Sequence, residues 1–202
     1  MSSDPTGRAD RSAAQSGAWI FVAGPSGAGK DTLMALACRE LRDSASVQIA
    51  RRVVTRARND FEDHATVSDA EFRSLRDAGH LALWWQAHGL YYGIERRWQE
   101  AVDSGTIVLA NVSRTVLGNV RQMGRTVRIV VVTAPDDVLA KRVIARGRDS
   151  AVSERLARTP AAAAHWTPDL VIENTGTPEQ GAAALIALLR AVNDGQGAMA
   201  DC

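Results

Sequence analysis

The chain has 202 residues, 46% of them apolar, and a formal net charge of +1; that is enough to bury one substantial α/β core and short for two domains. The even charge balance excludes a general nucleic-acid binder, whose phosphate contacts call for a clear basic excess, and leaves a small anion as the expected partner. Cys38 and Cys202 are the only cysteines, too few for a disulfide framework or a cysteine metal site, and no apolar run reaches membrane-spanning length.

Residues 1–17 are small and polar and lack the apolar centre of a signal peptide, so they read as a disordered lead-in. Residues 193–202 read as a similar tail. A cytoplasmic protein is the expectation, with neither nucleic acid nor membrane as partner and with its oligomeric state open. Residues 18–192 then form one domain in which strand-like and helix-like segments alternate, the pattern of a mostly parallel sheet with helices on both faces.

Ala18-Trp19-Ile20-Phe21-Val22-Ala23 is a short apolar run rich in aromatic and β-branched residues, stopped by glycine, and reads as a buried strand. Gly24-Pro25-Ser26-Gly27-Ala28-Gly29-Lys30-Asp31-Thr32 follows, and Leu33 to Leu41 then reads as a helix. Strand, glycine loop and helix in that order turn a Gly-x-x-x-x-Gly-Lys match into a phosphate-binding loop, because glycines let backbone N–H groups face inward and the helix adds its positive end. Lys30 and Lys141 are the only lysines among 24 basic residues. A lysine kept inside the loop points to a compact ammonium reaching the β- and γ-phosphates of ATP, against the plainer reading of a solvated lysine on a glycine turn. The usual loop continues with Ser or Thr, whose hydroxyl holds Mg²⁺; here Asp31 stands there with Thr32 one residue later. Asp31 caps the helix, complements its dipole, or touches Mg²⁺ with Thr32, and the residues alone leave the three open.

Further along, Val47–Val54 reads as a strand lying beside the first, ending among Arg51, Arg52, Arg56 and Arg58. Ligands of open α/β sheets gather at strand carboxyl ends, which makes Arg56 the preferred acceptor-side guanidinium of the four. Ser68 and Glu71 form a capping-box signature at the head of a helix. Leu81–Ala87 is apolar, and Tyr91-Tyr92-Gly93 follows a His88-Gly89 turn. Adjacent tyrosines in an extended segment point opposite ways, so at most one faces a ligand. His88 is either a general base or a structural turn residue, and an acceptor that is already ionised needs no base.

Ile94–Asp103 reads as a helix, Thr106–Ala110 as a buried strand, Thr115–Met123 as a short helix and Val127–Val132 as a strand. Asp136 and Asp137 open a helix that ends at Gly147. Asp169–Ile172 reads as the last strand and Glu179–Val192 as the last helix. Arg142, Arg146, Arg148, Arg155 and Arg158 crowd one segment. Arginines this dense suit a mobile lid over phosphates, as opposed to a solvated helix face laced with Asp149 and Glu154.

These motifs, in this order, resemble the guanylate-kinase-like P-loop kinases. The resemblance covers nearly all of Ala18 to Val192 and rests on Gly-Pro-Ser-Gly-Ala-Gly-Lys, Thr55-Arg56, Val67-Ser68 to Phe72, Tyr91-Tyr92-Gly93, Arg146-Gly147 and Val171-Ile172-Glu173-Asn174. It implies a P-loop fold with a parallel sheet of about five strands, a short acceptor-binding insertion at about 55–93 and an arginine-rich lid at about 146–160. It also implies ATP and Mg²⁺ as cofactors and places Asn174 near the adenine. The chain departs from guanine-reading members of the family: His64 stands where they have tyrosine, and Asn111-Val112-Ser113 replaces their Glu-Ile-Asp. Guanine's donors would then be left unpaired, at about 1–3 kcal/mol each.

Gly-Lys-Asp-Thr, Trp84-x-x-x-His88-Gly89-Leu90-Tyr91-Tyr92-Gly93, Asn111-x-Ser113-Arg114 and Arg146-Gly147-Arg148 are similar to the branch of that family that phosphorylates ribose 1,5-bisphosphate at its 1-phosphate. By that resemblance the partner is a small phosphorylated sugar. Arg56, Tyr92, Ser113 and Arg114 are then the acceptor-side residues, and Lys30 with the lid arginines Arg142, Arg146, Arg148 and Arg155 acts on the transferring group. A nucleoside monophosphate kinase and a catalytically silent binding module are the competing expectations.

Overall fold

The computed structural model describes residues 17–56, 64–87, 89–124, 126–145 and 166–195. Arg58, His88, Arg146, Arg148, Arg155 and Arg158, and with them the expected lid, lie outside these. So do the expected tails apart from Gly17 and residues 193–195.

Five parallel strands make the main sheet, in the order β2 (Val47–Ile49), β7 (Ile107–Asn111), β1 (Ala18–Ala23), β8 (Val127–Thr133), β9 (Leu170–Glu173). All six residues of β1 have no solvent exposure. The period of two explains how one strand serves two cores. Ala18, Ile20 and Val22 pack with helices α1 (Lys30–Leu41) and α5 (Pro178–Asn193), while Trp19, Phe21 and Ala23 pack with α3 (Arg97–Asp103) and the segment around Leu117 and Val120. Trp19 and Phe21 stack at 5.1 Å, and the Trp19 indole N–H donates to Gln99 Oε1 at 2.9 Å, so the aromatic face keeps its polar atom paired.

A second sheet, β4 (His64–Thr66), β3 (Arg52–Val54), β6 (Leu90–Glu95), β5 (Leu81–Ala87), overlaps the span expected for the acceptor insertion, with β3 lying before it and β6 running to Glu95. Its helix α2 (Asp69–Asp77) starts with the expected capping box: Ser68 Oγ accepts from the Glu71 N–H, and the Glu71 carboxylate accepts from the Ser68 N–H at 2.7 Å. That backbone bond, and after it the Ser68 hydroxyl donating to the same carboxylate at 2.7 Å, hold the Glu71 carboxyl below its usual range. Tyr91 stacks on Phe72 at 5.3 Å and Tyr92 on Trp85 at 5.5 Å. The two tyrosines thus serve opposite faces, and Tyr92, Trp85 and Ile94 join this sheet to the aromatic core of the main one.

Four sequence expectations change. Val47–Val54 divides into β2 and β3, which belong to different sheets, and β2 pairs with β7 and not with β1. Ile94 and Glu95 continue β6 because Ile94 fills the aromatic core, so α3 begins only at Arg97. Thr115–Met123 forms two 3₁₀ turns, Arg114–Val116 and Val120–Gln122, since β-branched Thr115 and Val116 followed by Gly118 favour no longer helix. The last helix begins at Pro178, where proline suits the first position and Thr177 and Gln180 form a capping box. The remaining helix, α4 (Asp136–Ile144), stops two residues short of Arg146.

Cys38 on α1 is partly buried, and burial pushes its thiol up from 9.0 to about 11. At pH 8 the folded chain should therefore carry far less Cys38 thiolate than the unfolded chain. With Cys202 replaced by serine, a thiol reagent should label the folded protein far more slowly than the guanidinium-unfolded protein. Equal rates would mean that α1 does not shield this sulfur.

Candidate active site

The site is built where β1, β7 and β9 end together at one edge of the main sheet. Leaving β1, the chain runs against β8 so closely that a Cβ on Gly24 would stand 1.9 Å from the Val132 carbonyl oxygen. The loop then rises into α1, whose N-cap is Gly29 at φ 91°, with no side-chain cap. The capping residue therefore offers no side chain to the first-turn N–H groups, the arrangement that suits an anion. Inside the loop the Lys30 ammonium donates to the carbonyls of Gly24 and Pro25, both at 2.9 Å, so the charge is carried over the loop and not out to solvent.

Asn174, one residue past β9, fixes the loop from below. It is 5% exposed, and its side-chain amide donates to the Ala28 carbonyl at 2.8 Å. Its backbone N–H extends the β8–β9 ladder to Thr133 at 2.7 Å, and its own carbonyl accepts from Arg142 at 3.0 Å. A Cβ at Gly29 would lie 2.5 Å from the Asn174 amide nitrogen, and one at Gly181 would lie 2.7 Å from its amide oxygen. Asn174 was expected beside an adenine. Its contacts here are with the loop, with α4 through Arg142 and with α5. Of the expected lid arginines, Arg142 alone is among the described residues, anchored on this asparagine.

On the other side of β1, Asn111 ends β7 in register with Val22. Its amide donates to Asp31 Oδ1 at 2.7 Å. Gly29, not Asp31, is therefore the cap, and the Asp31 carboxylate sits in the first turn of α1 with one oxygen held and the residue itself exposed. Thr32, also exposed, is the next residue of that turn. Among the described residues no three His, Cys, Asp or Glu side chains gather as a metal cage. A lone carboxylate and a hydroxyl nevertheless suit Mg²⁺, which takes one or two carboxylates and fills its shell with phosphate oxygens and water.

Two residues beyond Asn111, Ser113 caps a 3₁₀ turn, accepting from the Thr115 N–H at 3.3 Å and the Thr115 hydroxyl at 2.9 Å, and Arg114 follows it half-buried. Both thus belong to the same sheet edge as the loop. Tyr92 stands on β6 of the second sheet, and Arg56 two residues past the end of its β3. The Arg56 carbonyl accepts from the Thr66 hydroxyl at 3.0 Å and lies 3.4 Å from the buried His64 ring, which holds that strand end in place. Sequence reasoning noticed Asn111 only as a missing acid. The available signal was a polar side chain closing the apolar run Ile107–Ala110, where a buried strand reaches the sheet edge.

No family model matches the chain. It is 46% identical over 186 residues to ribose 1,5-bisphosphate phosphokinase PhnN of Pseudofrankia inefficax, covering 90% of this chain and 94% of that one. It is 42% identical over 177 residues to the protein of the same name from Methylobacterium radiotolerans, covering 87% and 98%. Among solved structures, guanylate kinase from Anaplasma phagocytophilum superposes with a TM-score of 0.63 at 21% identity, over 88% of this chain and 86% of that one, a likeness of fold.

Proposed function

The chain belongs to the family of ribose 1,5-bisphosphate phosphokinases, and from that premise we propose that it moves the γ-phosphoryl group of ATP onto the 1-phosphate of ribose 1,5-bisphosphate, giving 5-phosphoribosyl 1-diphosphate and ADP in the cytoplasm. The observation that carries this reading is the loop itself, an uncapped helix start with the Lys30 ammonium folded over two of its carbonyls.

Phosphoryl transfer leaves little covalent chemistry to a protein, which must position the reactants and stabilise charge. We assign the triphosphate to the amides of Gly27 to Asp31 and to Lys30. Asp31 and Thr32 are the residues to hold Mg²⁺, which supplies charge neutralisation on the phosphates when bound. Arg56, Tyr92, Ser113 and Arg114 are assigned to the acceptor, and Arg142 with Arg146, Arg148 and Arg155 to the transferring group. A sugar bisphosphate offers two phosphates to clamp and no base edge to read. An amide at Asn111 and a hydroxyl at Ser113, where the guanine-reading members have carboxylates, with the Arg114 guanidinium beside them, agree with that acceptor.

The test is ADP release from Mg·ATP with purified protein, run in parallel on ribose 1,5-bisphosphate and GMP. Turnover on the sugar bisphosphate with none on GMP is expected. Turnover on GMP alone would overturn the acceptor assignment, and silence on both with measurable ATP affinity would favour a binding module.

A further inference from the structure

The phosphate loop and the strand beside it both depart from the usual pair of metal-site side chains. In P-loop enzymes a hydroxyl follows the loop lysine, and an acidic side chain from a nearby strand shares the metal with it. Here the acid follows the lysine, as Asp31, and the neighbouring strand ends in an amide, Asn111. The two are in direct contact, Asn111 Nδ2 donating to Asp31 Oδ1 at 2.7 Å.

Asn111 is well placed to orient a partner. It is 9% exposed and lies in the parallel ladder opposite Val22, and the next N–H, that of Val112, bonds to the Val22 carbonyl at 3.0 Å. Its backbone is therefore set by the same strand that launches the loop. The carboxylate it holds is flexible by nature and sits on an exposed helix start. One amide bond occupies one of about four lone-pair positions on the two oxygens and leaves the rest available.

We propose that Asn111 is a positioning residue that orients the Asp31 carboxylate as the protein ligand for the divalent cation of the metal–nucleotide. The inference rests on the kinase reading above. A bond that merely ties α1 to β7 would contribute to stability and leave metal affinity alone. A bond that presents a metal ligand sets affinity, because groups that orient metal ligands are worth about 10- to 100-fold in binding.

The experiment uses the full chain and Mn²⁺ as the probe, with affinity read by electron paramagnetic resonance in the presence of a non-hydrolysable ATP analogue. The variants are Asn111→Ala, Asn111→Asp, Asp31→Ser and the exchange Asp31→Ser with Asn111→Asp. Analogue affinity without metal and the thermal midpoint are measured beside it. Asn111→Ala should weaken Mn²⁺ by about 10- to 100-fold with metal-free analogue affinity unchanged. Asn111→Asp alone, which sets two carboxylates against each other, should also lose affinity, while the exchange returns it to within a few-fold of the natural protein. Unchanged Mn²⁺ affinity in Asn111→Ala overturns the inference, as does an exchange variant that folds yet binds no better than Asp31→Ser. A natural protein that binds no metal–nucleotide at all would sink the kinase reading, and this inference with it.

Discussion

Replacing Lys30 by alanine should lower kcat/KM by at least about 100- to 1,000-fold, the usual loss when one preorganised electrostatic contact to the reacting group is deleted. The circular dichroism spectrum should not change. In the structure the ammonium donates to the loop carbonyls of Gly24 and Pro25, both at 2.9 Å. Losing such bonds costs about 1 kcal/mol each, small beside a core in which all of β1 is buried. Lys30→Arg sharpens the point. A guanidinium is a broad planar fork, unlike the compact ammonium that meets both carbonyls at once, so arginine should recover little of the lost rate despite keeping the charge. Measured ADP release within a few-fold of the natural protein for Lys30→Ala would overturn the role of the loop as the phosphate site.

What could be read from the sequence follows from how far each signal reaches along the chain. The strand Ala18–Ala23, the loop and α1 are contiguous, and their periodicity, glycines and lysine all point to one local arrangement, which the structure has. The capping box at Ser68 and Glu71 was legible for the same reason, since its two bonds span three residues. Val47–Val54 misled because nothing local separates Ile49 from Arg52. The break is made by tertiary pairing, with β2 taken by β7 and β3 by β6. Ile94 misled likewise, since only the distant aromatic core that includes Trp98 and Phe21 makes it a strand residue. At the site, Lys30 was evident, whereas the partnership of Asp31 with Asn111 spans 80 positions and that of Ala28 with Asn174 spans 146. No spacing rule reaches that far.

The second large effect lies in that last pair. Gly29→Ala should both strain the backbone and displace Asn174: the residue has φ 91°, which a side chain tolerates at roughly 1–2 kcal/mol, and the added Cβ would meet the Asn174 amide nitrogen at 2.5 Å. Asn174 has little room to swing aside, because even a Cβ at Gly181 of α5 would stand 2.7 Å from its amide oxygen, and its backbone is bonded on both sides, to Thr133 and to Arg142. The loop must therefore move, and nucleotide affinity should fall together with the thermal midpoint. Asn174→Ala removes the obstacle but also leaves the Ala28 carbonyl without this donor, a loss of about 1–3 kcal/mol for a buried group. The two substitutions should consequently be strongly non-additive. Gly29→Ala made in the Asn174→Ala background should cost only the backbone strain, so the double variant should be more stable than the sum of the single losses predicts, by about 1 kcal/mol or more in a denaturant cycle. Additive losses would mean that the loop and the asparagine are not in contact in solution. A coupling of the expected sign, accompanied by lost ATP affinity in each single variant, would make Asn174 the support on which the phosphate loop rests and Arg142 the link from that support to α4.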